Sequence, residues 1–237
     1  MIVTYILIAV GLWFVISLSM FFWHTYRGKQ VAKVTKKYER SLSRGPKILL
    51  AGDSVVFGVG ATAPETSIAG LFGRDFPQAT IKNIGVSGAE TDGLVQQLTT
   101  VHGQRFDLVV IIIGANDVVH FANLTKSLEN LGQGLSLARD LSDQVILMPE
   151  GNMGNPPLFP QLASLFFTPR SRLFRVGAMT IAAQHQTTYV DVFHERKDDY
   201  WRKDPTHYYA ADFFHPADKG YLDWYTAIRG KVDASVL

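Results

Sequence analysis

After Pro46 the sequence alternates between short runs rich in Ile, Val and Leu and longer stretches with helical spacing, and this rhythm constrains the fold more than any other feature. The short runs are Lys47 to Ala51, Thr80 to Ile84, Leu108 to Ile113, Gln144 to Met148 and Thr188 to Val192. Helical patterns lie between them, roughly Glu65 to Asp75, Glu90 to His102, Asn123 to Leu141 and Ala163 to Gln186. A last one runs from Pro216 to about Val232, with proline in its first turn. Strand, crossover helix, strand units build a parallel sheet, and strands covered on both faces read as continuous apolar runs. The expectation is an α/β domain.

Open parallel sheets bind ligands beyond the carboxyl ends of their strands. The chemistry-bearing segments fall there. Gly52-Asp53-Ser54 follows the first strand, Val86-Ser87-Gly88 the second and Gly114-Ala115-Asn116-Asp117 the third, while Asp212-Phe213-Phe214-His215 comes after the fifth. Acyl transfer needs a nucleophilic hydroxyl, a base for its proton, a group orienting that base, and donors for the developing oxyanion. Ser54, His215 and Asp212 fill the first three roles, and the Ser54 amide, the Gly88 amide and the Asn116 side chain supply the donors.

Each group also has an ordinary reading. A serine directly after a strand is a good helix cap, Asn116 and Asp117 suit a turn held by their own side chains, and Gly88 alone is a loop glycine. Asp53, Gly114 and Asp117 are expected to support the site, Gly114 by letting the chain approach closely and Asp117 by bracing its loop. His215 takes and returns a proton near neutrality, and Asp212, three residues earlier, can fold back onto the far ring nitrogen. Asp191, at the end of the fifth strand, is the competing orienter. The remaining histidines, His24, His102, His120, His185, His194 and His207, read as surface or satisfied residues. Gly58-Val59-Gly60 comes too late after its strand for a dinucleotide fingerprint, and no Gly-Lys-Ser/Thr follows to make a phosphate loop. No His-Glu-x-x-His or other ligand set is present, so no metal is expected.

From Ile2 to Trp23 no side chain is charged. At ~1.5 Å per residue such a helix spans roughly the 30 Å hydrocarbon core. Residues 1–26 therefore read as a transmembrane anchor, with Trp23 and Tyr26 at the interfacial belt. A cleaved leader would need a basic start and a small-x-small cleavage site, neither of which is evident. Residues 27–46 read as a basic juxtamembrane stalk. Arg27, Lys29, Lys33, Lys36, Lys37, Arg40 and Arg44 face only Glu39 there, and Val31, Val34, Tyr38 and Leu42 recur at helical steps until Gly45-Pro46. The positive-inside rule leaves residues 47–237, the catalytic domain, in the cytoplasm, with the extracytoplasmic side as the alternative.

The formal charge of +2 implies neither a nucleic-acid footprint nor an acidic-substrate field, and no protein partner is inferred. The absence of cysteine excludes disulfides, thiolate metal sites and a Cys nucleophile. With 47% hydrophobic residues in 237, one large core is within reach.

Gly-Asp-Ser at 52–54, Gly88, Gly-x-Asn-Asp at 114–117 and Asp-x-x-His-Pro at 212–216 together resemble the four blocks of the SGNH, or GDSL, hydrolases. The resemblance covers roughly Lys47 to Val232. Its visible departure is Val55, where the family usually has Leu. It implies a flavodoxin-like three-layer α/β/α sandwich with a five-stranded parallel sheet of order 2-1-3-4-5. It also implies a triad of Ser54, Asp212 and His215, an oxyanion hole of Ser54, Gly88 and Asn116, and no cofactor. The expected activity is that of a membrane-anchored serine ester hydrolase, esterase or lipase-like, working through an acyl-enzyme on Ser54 on a small-molecule or lipid ester. The same groups serve an O-acyltransferase when an alcohol replaces water. A non-catalytic binding protein retaining the fold is the third reading, against which stands the presence of every site group. Two apolar stretches are candidate walls for the substrate, Pro156 to Phe167 and the aromatics Trp201, Tyr208, Tyr209, Phe213 and Phe214. Helix core is the ordinary reading of the first.

Overall fold

The computed structural model describes residues 4, 5, 11, 17, 19, 22–24, 26–28 and 30–237. Five strands form one all-parallel sheet: β1 (Lys47–Gly52), β2 (Thr80–Asn83), β3 (Leu108–Ile112), β4 (Val145–Leu147) and β5 (Thr188–Tyr189), in the order β2-β1-β3-β4-β5. The helices are α1 (Ser54–Phe57), α2 (Ile68–Asp75), α3 (Thr91–Thr99), α4 (Ala115–Val119), α5 (Leu124–Leu141), α6 (Ser164–Gln184), α7 (Pro205–Tyr208) and α8 (Asp218–Arg229).

Alternation of side chains along each strand divides the core in two. Leu49 and Ala51 of β1, with Val109 and Ile111 of β3, pack on Leu94 and Leu98 of α3, Leu131 and Leu135 of α5, and Phe174 of α6. Ile48 and Leu50, with Leu108, Val110 and Ile112, face Ile68 and Phe72 of α2 and Tyr221, Tyr225 and Ile228 of α8. Helices on both faces explain why the strands are apolar throughout, and each such buried side chain contributes about 1.5–3 kcal/mol. The chain runs from β1 to β2 on one side and then returns to place β3 on the other. The ends of β1 and β3, which carry Ser54 and Asn116, therefore flank the point where the sheet reverses direction.

Several boundaries differ from expectation. The ladder of β5 ends at Tyr189, matching the short β4 beside it, although the Val190 amide still donates to Leu147 O at 2.9 Å. Pro216 is not in the final helix. It forms an antiparallel bridge with Tyr209, and α8 begins only after the cap at Ala217, so a small hairpin carries the Asp212–His215 loop.

The expected stalk helix stops early. Residues 31–34 are helical, but the chain then extends, and Arg40 pairs antiparallel with Ile81 on the edge strand β2. The Arg40 guanidinium donates to the carbonyls of Gly73, Phe76 and Ala79 at 2.8, 2.5 and 2.9 Å. It is thus a strap on the sheet edge, where it covers backbone groups that an edge strand would otherwise expose. The transmembrane reading of residues 1–26 falls largely outside the described residues. Among the described residues, no helix is long and apolar enough to cross a membrane.

Candidate active site

Ser54 sits on a turn that only glycine at position 52 permits. Gly52 has φ +145°, and a Cβ there would strike the carbonyl of Ile112. Gln97 of α3 grips the same residue from both sides, its Oε1 accepting from Gly52 N at 2.8 Å and its Nε2 donating to Gly52 O at 2.9 Å. Asp53 then caps α1 by accepting from Val55 N at 2.9 Å, so Ser54 is the first residue inside the helix and its hydroxyl is not used as a cap.

That hydroxyl lies 3.0 Å from His215 Nε2, and His215 Nδ1 lies 2.6 Å from Asp212 Oδ2. The other Asp212 oxygen accepts from the amides of Phe214 and His215, both at 3.0 Å. Phe213, at φ +56°, takes the left-handed conformation that folds this loop back on itself. Burial alone would raise the Asp212 carboxyl, but the His215 ring and the two amides outweigh it and hold the group below the ordinary aspartate value. Asp212 is therefore ionised at neutral pH and fixes a proton on Nδ1, which leaves Nε2 free to accept the serine proton.

Of the three expected oxyanion donors, Ser54 and Asn116 line the serine niche, and Gly88 lines a neighbouring one. Asn116 is the second residue of α4 and donates from Nδ2 to Ala89 O at 2.8 Å, which ties it to the loop carrying Gly88. Its remaining contact is a 3.4 Å approach of the same nitrogen to Asp53 Oδ2, so one N–H is available to a stronger acceptor. Gly88, at φ +83°, is exposed, with open space where a Cβ would stand. Asp117 braces the arrangement from behind by accepting from Thr91 N and Thr91 Oγ1 at 3.1 and 2.8 Å. Gly114, at φ +126°, lets the chain pass directly over the Phe174 ring.

Two contributors lack a sequence signal. Gln97 is one polar residue on an amphipathic helix. Glu150 follows β4, and its Oε2 accepts from Ala115 N at 3.0 Å, which pins the residue before Asn116. Glu150 and Asp53 are both buried and interact beside Ser54. Burial, and then the Asp53 charge, push the Glu150 carboxyl well above its ordinary value.

Asp191, the competing orienter, is paired with Arg175 instead. His120 and His207 pair with Glu90 and Asp204, and His24 lies edge-on to Phe213 with ring centroids 5.0 Å apart. Among the described residues no cluster of three His, Cys, Asp or Glu is placed to hold a metal. The apolar stretch that leads into α6 and forms its first turn divides: Phe167 is core, whereas Leu162, Leu165 and Phe166 are exposed. Phe159 packs between Phe167 and Phe214, and Phe214 in turn meets His215 edge-on at 5.0 Å.

A family model described as the GDSL-like Lipase/Acylhydrolase family matches residues 50–222. No curated protein sequence matches the chain. Among solved structures, a member of the lipolytic protein G-D-S-L family from Veillonella parvula is 16% identical, with TM-score 0.62 over 78% of this chain and 96% of that one. Axe2, an acetylxylan esterase from Geobacillus stearothermophilus, is 19% identical with TM-score 0.59, over 84% and 99%. TesA is 20% identical with TM-score 0.63, over 81% and 99%. At these identities the likeness establishes the shared fold.

Proposed function

The chain belongs to the GDSL-like lipase/acylhydrolase family, and from that premise we propose that it hydrolyses a carboxylic ester through an acyl-enzyme on Ser54. The observation that carries this reading is the continuous relay of 3.0 Å from Ser54 Oγ to His215 Nε2 and 2.6 Å from His215 Nδ1 to Asp212. Ser54 Oγ attacks the ester carbonyl carbon while His215 Nε2 takes the hydroxyl proton. The carbonyl π electrons move onto oxygen, and that oxyanion is met by the Ser54 and Gly88 amides and by the Asn116 N–H that exchanges its long contact with Asp53 for this stronger acceptor. Collapse of the tetrahedral species breaks the bond to the alcohol oxygen, which leaves with the proton from His215. Water then adds to the acyl carbon, giving its proton to His215, and the second collapse returns that proton to Ser54 and releases the acid.

The test is hydrolysis of short-chain nitrophenyl esters by the purified full chain beside Ser54→Ala and His215→Ala. Turnover that falls by about 10²-fold or more in each variant is expected; unchanged turnover in either rejects the assignment.

The reading includes an anchor at residues 1–26, a connecting segment at residues 27–46, and a catalytic domain at residues 47–237 on the cytoplasmic face. It is supported by the uncharged run from Ile2 to Trp23 and by the basic residues that follow it. Resistance of the membrane-bound chain to alkaline extraction, and protection of the domain from protease in sealed right-side-out vesicles, are the expected results. Release by alkali, or cleavage in the intact vesicles, contradicts the corresponding part.

A further inference from the structure

The segment ahead of β1 touches two of the elements that carry the triad. Residues 22–24, 26–28 and 30–34 are helical, and His24, Gly28, Val31 and Thr35, at three- and four-residue steps, are half-buried, while Arg27, Gln30 and Val34 between them are exposed. One face of this helix is therefore seated on the domain. Further along, Lys37 Nζ lies 5.0 Å from the centroid of the Phe57 ring in α1, Tyr38 fills the space where Gly73 would carry a Cβ, and Arg40 pairs with β2. From the sheet edge back toward residue 22, the chain crosses the helix that Ser54 begins and arrives at the Asp212 loop.

Gly28 makes the approach that matters most. The three nearest heavy atoms to a Cβ at this position would all belong to Asp212, Oδ2 at 3.0 Å, Cβ at 3.4 Å and Cγ at 3.7 Å. Oδ2 is the oxygen that faces His215 Nδ1 at 2.6 Å. A larger residue would press on that oxygen, so glycine is what lets the helix lie against the carboxylate. One turn earlier, His24 packs edge-on against Phe213, with ring centroids 5.0 Å apart. Its Nδ1 is buried without a hydrogen-bond partner, so that nitrogen does not hold the ring; the packing on Phe213 does.

Asp212 Oδ1 accepts the amides of Phe214 and His215, whereas Oδ2 has His215 alone as a hydrogen-bond partner among the described residues. Water reaching Oδ2 would compete for the ring proton and screen the carboxylate from it. Gly28 stands on that approach, and Asp212 is left 1% exposed.

We propose that the helical segment around Gly28 is a positioning element of the active site, whose close seating on Asp212 keeps water from Oδ2 and holds the loop so that His215 stays aligned with Ser54. The effect on turnover rests on the esterase reading above; the effect on the His215 proton does not.

The test uses the full chain with Gly28→Leu, His24→Ala, His24→Phe, and Gln30→Ala at an exposed position of the same helix. Leucine favours a helix interior over glycine, so Gly28→Leu displaces the segment without unwinding it. Its kcat on a short-chain nitrophenyl ester should fall about tenfold or more with KM within about twofold of wild type, since the substrate walls are untouched. By NMR, the His215 Nδ1 proton should exchange with water about tenfold faster while the amides of β3 keep their wild-type rates, which separates a local opening from a general loss of stability. His24→Ala should move both readouts the same way, His24→Phe should restore them, and Gln30→Ala should leave them unchanged. Should Gly28→Leu fail to fold, Gly28→Ala, whose methyl meets Oδ2 at 3.0 Å, carries the same comparisons.

Unchanged kcat and proton exchange in the Gly28 variant overturn the proposal. So do a KM effect as large as the kcat effect, an equal loss in Gln30→Ala, or exchange that quickens in β3 as much as at His215. No loss in His24→Ala, or none regained in His24→Phe, overturns the role given to His24. A wild type that cleaves no ester, with exchange still faster in the Gly28 variant, overturns the esterase reading and leaves the seating of Gly28 standing; with exchange unchanged, both fall.

Discussion

Asp53 caps the helix that Ser54 begins, accepting from Val55 N at 2.9 Å, and so leaves the Ser54 hydroxyl to His215. Cap and nucleophile occupy consecutive residues and do not compete. Asp53→Asn retains a good cap, whereas Asp53→Ala loses it at a cost of about 1 kcal/mol. The expected result is a lower kcat with little change in KM for Asp53→Ala, and a lower melting temperature for Asp53→Ala than for Asp53→Asn. Equal melting temperatures would mean that the cap does not hold this turn.

Folding raises the Glu150 carboxyl well above its ordinary value of 4.5, because burial and the Asp53 charge both disfavour the carboxylate. For a group raised on folding, the associated stability is full below the unfolded value and is lost as pH climbs toward the folded one. Glu150→Gln does not titrate. The melting temperature of that variant relative to wild type should therefore rise from pH 4.5 toward neutrality, and a difference that shrinks over this range contradicts the buried, protonated state.

Asp212 titrates in the opposite direction. Its folded value lies below 3.8, so the stability it contributes is present above pH 3.8 and disappears as pH falls through the depressed folded value. Asp212→Asn should flatten this acid limb of the unfolding profile and lower kcat by about 10²–10⁴-fold, since the His215 tautomer is no longer imposed. An acid limb identical to wild type would show that the carboxylate is not held by His215.

Gln97 holds both backbone groups of Gly52, and Gln97→Leu leaves them unpaired in the interior at about 1–3 kcal/mol each. Activity should fall through kcat, because the turn that aims Ser54 loosens while the substrate walls are untouched. A KM effect of the same size as the kcat effect would place Gln97 in substrate binding instead. Steady-state kinetics and chemical denaturation of the variant check both points.

The sheet is legible in the spacing of its apolar runs, Ser54 and Asn116 in their positions just past strand ends, and His215 in its Asp-x-x-His-Pro setting, well beyond the end of β5. Each of those signals is local. Gln97 and Glu150 could not be found in that way, because their roles exist only where α3 meets the end of β1 and where the end of β4 meets α4. Pro216 departs from its sequence expectation for a related reason: proline suits a first helical turn, but here the Tyr209 bridge claims it first. The basic residues of 27–46 read as a juxtamembrane stalk, yet the Arg40 guanidinium donates to carbonyls of residues more than thirty positions away. Charge patterning shows where cations lie and gives no information about the backbone acceptors that bind them.

The most direct measurement is intact-mass and peptide mass spectrometry after treatment with an alkyl fluorophosphonate, which labels a serine whose proton is removed by a positioned base. One adduct on Ser54 is predicted in the wild type, none in Ser54→Ala, and labelling slowed by about 10²-fold or more in His215→Ala. An adduct on another residue, or an unchanged labelling rate without His215, would contradict the account.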